Sequence, residues 1–259
     1  MNSSPAPQPV IEFRSVSFRL DETPPILDCL NLSVHRGETL ILLGRSGAGK
    51  TTILKLVNRL LVPTSGEVRV EGADVSKLDL IRLRRGIGYC IQEVGLFPHL
   101  SVAANVGLLP KLEGWPPERI CSRVDELLRL VGLPGEFGSR YPHELSGGQR
   151  QRVGLARALA TDPPILLMDE PFGALDAITR MEVQREFQRL QQRLAKTVLF
   201  VTHNLSAALQ LGTRIALLEH GLLVGVYTPD SFLRDPHPLL RSYRSAFEAR
   251  NQGLETGTR

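Results

Sequence analysis

Cysteine is scarce: Cys29, Cys90 and Cys121 are the only three in 259 residues, an odd number at wide spacings, with no CxxC pair and no histidine at ligand spacing. This argues against a disulfide scaffold or a zinc site and fits a reducing compartment. No run approaches the roughly 18 consecutive apolar residues that a membrane helix needs. The N-terminal MNSSPAPQPVIEF also lacks the basic region and apolar stretch of a signal peptide, so the expectation is a soluble, cytoplasmic chain. Neither charge sign dominates, with 31 Lys plus Arg against 27 Asp plus Glu, interleaved along most of the chain. The pI near 9.2 therefore comes without a dedicated basic groove for nucleic acid. Internal repeats, low-complexity tracts and sustained heptads are missing as well. What is there, 42% hydrophobic and 22% charged residues, is the make-up of one ordinary folded domain, and it excludes disorder as the main state.

Residues 1–9 are rich in Ser and Pro and read as a flexible leader. VIEFRSVSF and ILDCLNLSV flank the turn-prone DETPP and predict an antiparallel hairpin. TLILLG, residues 39–44, is a nearly continuous apolar strand that runs into a glycine turn and the helical pattern of TTILKLVNRLL. GEVRVEG and IGYCIQ follow as strands, and residues 101–161 are mostly helical in pattern. From PILLMDE onward strands alternate with helices, which implies an α/β fold with a mostly parallel sheet. The stretch from Pro238 to Arg259 reads as a polar, Arg-containing tail.

Gly44-Arg45-Ser46-Gly47-Ala48-Gly49-Lys50-Thr51 fits GxxxxGK[ST] between an apolar strand and a helix, with Thr52 continuing the helix. Glycines let backbone N–H groups close around phosphate oxygens, Lys50 reaches the β- and γ-phosphates of a nucleotide, and the Thr51 hydroxyl is a Mg²⁺ ligand. The strand ILLMDE delivers Asp169 and Glu170 at its carboxyl end, where open α/β sheets bind ligands. Asp169 is suited to holding Mg²⁺ and Glu170 to aligning or deprotonating an attacking water. Leu145-Ser146-Gly147-Gly148-Gln149-Arg150-Gln151-Arg152 offers a second cradle, a hydroxyl and two glycines opening a helix predicted from Gln149 to Leu159.

Together these motifs resemble the nucleotide-binding subunit of ATP-binding cassette (ABC) transporters, over about residues 10–237. The resemblance implies a P-loop NTPase core, an N-terminal antiparallel β subdomain and an α-helical signature subdomain near residues 93–160. It assigns Gln92 to the Mg²⁺ and water shell, Asp176 in GALD to a dimer contact, and His203 in FVTH to the γ-phosphate. Read without the family, Gln92 is also a plausible strand cap, Cys90 a core residue and His203 an edge histidine. The resemblance further implies that Ser146, Gly147, Gly148 and Gln149 face the nucleotide of a second copy, so that the chain forms an ATP-dependent dimer. One position departs from the family: the aromatic that stacks on adenine is Leu20 here. Phe18, two residues earlier and on the same strand face, is the alternative ring, and relaxed discrimination between ATP and GTP is expected.

IGYCIQEVGLFPHLSVAANVGLLPKLEGW and MDEPFGALDAITR are most similar to the ATPases of osmoprotectant importers for glycine betaine, choline or related quaternary amines. That resemblance implies a peripheral subunit on the cytoplasmic face of the cell membrane. Its implied partners are a transmembrane permease docking near Val94 to Leu109 and, indirectly, an extracytoplasmic solute-binding protein. Leu96, Phe97 and Leu100 in that segment are either core or docking surface. Larger members add a paired regulatory module after the ATPase core, for which residues up to Arg259 leave no room. The rival readings are a soluble ABC-type ATPase acting on nucleic acid or the ribosome, which usually carries long coiled coils, and a P-loop kinase, which leaves LSGGQRQR and His203 unexplained.

Overall fold

Alternating apolar positions at the N-terminus build the first of two sheets. The computed structural model describes residues 9–92, 94–173 and 175–255. In chain order the elements are β1 (Pro9–Phe18), β2 (Leu27–His35), β3 (Thr39–Gly44), α1 (Lys50–Val57), β4 (Ser65–Val70), β5 (Ala73–Asp74), α2 (Leu80–Arg85) and β6 (Ile87–Cys90). Then come α3 (Val102–Leu112), α4 (Pro117–Leu130), α5 (Gly147–Ala158), β7 (Ile165–Asp169), α6 (Ala177–Leu194), β8 (Thr197–Thr202) and α7 (Leu205–Leu211). The chain continues through β9 (Arg214–Glu219), β10 (Leu222–Tyr227), α8 (Pro229–Arg234) and α9 (Pro238–Glu255).

The first sheet is antiparallel in the order β2-β1-β4-β5; the second runs β10-β9-β3-β8-β7-β6 and is parallel except at β10-β9. Every residue of β3, β7 and β8 is buried, because both faces of the parallel sheet are covered. Strand alternation divides them between two cores. Leu40, Leu42, Leu167, Leu199 and Val201 pack with Ile53 of α1 and with the antiparallel sheet. Ile41, Leu43, Leu166, Met168, Val198 and Phe200 face the other way, into a core shared with α3 to α7. The parallel register sets Leu43 beside Thr202 and Asp169 beside Val201, so the ends of β3, β7 and β8 share one edge.

Within the stretch expected to be a polar tail, Pro238–Glu255 is helical. Those residues form α9, whose Leu240 is fully buried and whose Leu239, Tyr243 and Phe247 pack against the larger core. Arg244 Nη1 donates to Phe232 O and Asp235 O at 2.8 Å each, tying α9 to α8. Pro9 of the expected leader opens β1, and residues 1–8 lie outside the described residues. Among the described residues no helix is long and apolar enough to cross a membrane.

Candidate functional site

Between β3 and α1 the chain reverses in five residues. Gly49 has φ 89°, and a Cβ there would lie 2.6 Å from Leu27 Cδ2 and 2.9 Å from Ile26 O, so only glycine fits. Gly49 is also the N-cap of α1 and provides no side-chain cap, which leaves the first N–H groups of the helix available to an anion. Lys50 is buried, and its Nζ donates to the carbonyls of Gly44 and Arg45 at 2.8 Å each. Burial pushes its pKa down, against the opposing pull of Glu170 and Asp169.

Asp169 ends β7, buried, and its Oδ1 accepts from Thr51 Oγ1 at 3.1 Å. Burial raises its pKa; the Thr51 bond opposes the rise and neighbouring Glu170 adds to it. Glu170 turns away from the strand at φ 45°, its N–H donating to Val201 O at 3.1 Å. Its Oε1 lies 2.7 Å from His203 Nδ1 at the end of β8. A carboxylate only accepts, so Nδ1 carries the proton in this contact.

One cavity of about 740 Å³ gathers these groups: the run Arg45 to Thr52, Gln92, Glu170 and His203 all line it, with Ile26, Gly173 and Val201. Gly44 ends β3 just before this run and does not line the cavity; a Cβ there would meet Leu218 O at 2.5 Å. Ile26 was missed in the sequence, where it looks like the first residue of an ordinary strand. Phe18 is not available as the replacement ring: it is 6% exposed in the core of the antiparallel sheet, because the strand irregularity near Ser15 to Ser17 turns it inward, while Leu20 is in solvent.

Ser146 to Gln149 and Asp176 do not line this cavity. They stand together elsewhere, since a Cβ on Gly148 would come 2.5 Å from Thr179 Cγ2. Ser146 and Gln149 cap α5 reciprocally, Gln149 N donating to Ser146 Oγ at 3.3 Å and Ser146 N to Gln149 Oε1 at 2.9 Å. The helix therefore starts at Gly147, two residues before the expected Gln149. Asp176 caps α6, accepting from the N–H groups of Ile178 and Thr179, and hydrogen bonds led by Thr179 hold its carboxyl below the usual range.

The segment after Gln92 is held by two side chains. Arg157 donates to Val94 O and Gly95 O at 2.7 Å each. Asn105, fully buried, accepts from Phe97 N at 2.8 Å and donates to the carbonyls of Phe97, Leu100 and Ser101. Leu96 packs against the larger core, whereas Phe97 is 43% exposed.

The family model described as ABC transporter matches residues 27–173. The glycine betaine/carnitine/choline transport ATP-binding protein OpuCA of Bacillus subtilis is 50% identical over 210 residues, 81% of this chain and 55% of that protein. The glycine betaine uptake system ATP-binding protein YehX of Escherichia coli is 47% identical over 227 residues, 88% of this chain and 73% of that protein. The chain thus spans just over half the length of OpuCA. Among solved structures, the ATP-binding cassette MJ0796, a dimer in a post-hydrolysis state with ADP and Pi, has a TM-score of 0.77 at 34% identity, covering 85% of this chain and 98% of its own.

Proposed function

The chain belongs to the ABC transporter family, and on that premise we propose that it is the ATP-hydrolysing subunit of an importer that takes up an osmoprotectant of the quaternary amine class. The observation that carries the reading is the single cavity lined by the phosphate loop, Gln92, Glu170 and His203. In it the N–H groups of residues 45–52 and Lys50 hold the triphosphate, Glu170 aligns the attacking water, and His203 holds Glu170 and meets the γ-phosphate. Thr51, Asp169 and Gln92 are the residues that would hold Mg²⁺. The fit is chemical: Mg²⁺ takes few protein oxygens beside phosphate and water, and Thr51 and Asp169 present two at 3.1 Å from each other. When bound, Mg²⁺ supplies neutralising charge on the phosphate oxygens.

Ser146, Gly147, Gly148, Gln149 and Asp176 complete the site of a second copy, so two chains enclose two nucleotides. Closure of that dimer drives a separate permease, which docks on residues 94–109 at the cytoplasmic face of the membrane and receives solute from an extracytoplasmic binding protein. Residues 10–237 are the ATPase domain in this reading, with residues 93–160 as its helical subdomain. The relatives' names support the solute class. Uptake of labelled glycine betaine and choline is measured in cells lacking this subunit and in cells with it restored. Restored uptake is expected, and a Lys50→Ala copy should restore none; equal uptake with and without the subunit overturns the solute assignment.

A further inference from the structure

Glu170, Gly173 and His203 each border two spaces. One is the phosphate-loop cavity. The other is a cleft of about 140 Å³ whose walls also include Thr202, Asn204, Arg180 and Gln184, with Phe172 and Phe200. The polar groups among these walls and that volume suit several waters.

One wall comes from α6, where Arg180 and Gln184, four residues apart, share a face. Arg180 is committed to backbone, its Nε donating to Phe172 O at 3.2 Å and its Nη2 to Leu175 O at 2.6 Å. Gln184 is 5% exposed, and its amide makes no hydrogen bond among the described residues. That amide is not among the polar groups sealed from solvent without a partner, so what it meets is the water of the cleft it borders. Glu170 has the complementary need. Its Oε1 is bonded to His203, yet that histidine side chain is 67% exposed against 14% for Glu170, and Oε2 has no partner among the described residues.

The geometry points to Gln184 as a positioning residue: water held in this cleft by the Gln184 amide hydrogen-bonds Glu170 and fixes the carboxylate toward the phosphate-loop cavity. The inference rests on the proposed ATPase reading, in which Glu170 aligns the attacking water.

ATP hydrolysis by the full chain across ATP concentrations, with a thermal melt of each protein, tests it. Gln184→Met and Gln184→Leu remove the amide, whereas Gln184→Asn keeps it and leaves space for one more water. Either apolar variant that folds should lose about tenfold or more in kcat with KM unchanged. Gln184→Asn should retain at least half the wild-type rate, and in a Glu170→Gln background the apolar change should have no further effect. Wild-type kcat in the apolar variants, or an equal loss in Gln184→Asn, overturns the inference while leaving the ATPase reading intact. A wild-type chain that does not hydrolyse ATP overturns the ATPase reading and this inference with it.

Discussion

Lys50 and Asp169 are charged groups taken out of water, and both are displaced in the direction that penalises their ionised forms. For Asp169 the folded pKa lies above the unfolded one. Stability therefore falls as pH rises from the unfolded toward the folded value, and the deficit persists at pH 7. For Lys50 the folded pKa lies below 10.5, so stability is regained only as pH rises from the folded value toward 10.5. Asp169→Asn keeps an acceptor for Thr51 and removes the buried charge. Its Tm at pH 7 without nucleotide should rise, by roughly 2–4 °C for each 1 kcal/mol relieved, and the gain in Tm on adding ATP with Mg²⁺ should shrink. A thermal melt with and without nucleotide checks both. The residue types here were legible from the motifs, and the Thr51 to Asp169 pairing was not, because it joins positions on different elements across the sheet edge.

At the scale of elements, α9 and the segment after Gln92 behave in opposite ways. The apolar stripe of α9 is diluted by Arg and Ser, which is why it read as a tail; burial of Leu240 shows it to be part of the core. Leu240→Ala should cost about 2–5 kcal/mol in urea denaturation, the range for emptying a packed leucine site. Residues 94–101 are held by hydrogen bonds with Arg157 and Asn105, while Phe97 stands in solvent. Phe97→Asp should therefore change stability by no more than about 0.5 kcal/mol, as for other surface positions. It should also weaken copurification with the proposed permease partner while ATP binding persists. The start of α5 shows the same limit on reading elements from pattern. Two glycines argue against helix by propensity, and the Ser146 cap overrides them.

At the scale of the molecule, the two cradles belong to different walls. The phosphate loop sits at the edge shared by β3, β7 and β8, whereas Ser146 to Gly148 lies against the start of α6 and outside that cavity. Gly148 has no space for a side chain, with Thr179 Cγ2 at 2.5 Å, but Gly147 has only Leu175 Cδ2 at 3.9 Å. Gly147→Asp should accordingly fold and bind ATP as a monomer. In a Glu170→Gln background, where the proposed reading expects an ATP-dependent dimer to accumulate, it should abolish that dimer, as read by gel filtration with ATP. A Gly147→Asp chain that dimerises normally would remove the second cradle from the site.

Local order in the chain determined the layered α/β fold, the phosphate loop and the acidic strand end. Strand alternation, glycine at a left-handed turn and adjacent carboxylates are short-range signals that survive without neighbours. Tertiary packing alone decided that Phe18 faces the core, that α9 docks, that Gln184 and Glu170 border one cleft, and that the signature glycines stand away from the loop. Each of these depends on which surfaces meet across long sequence separations, and residue spacing carries no record of that.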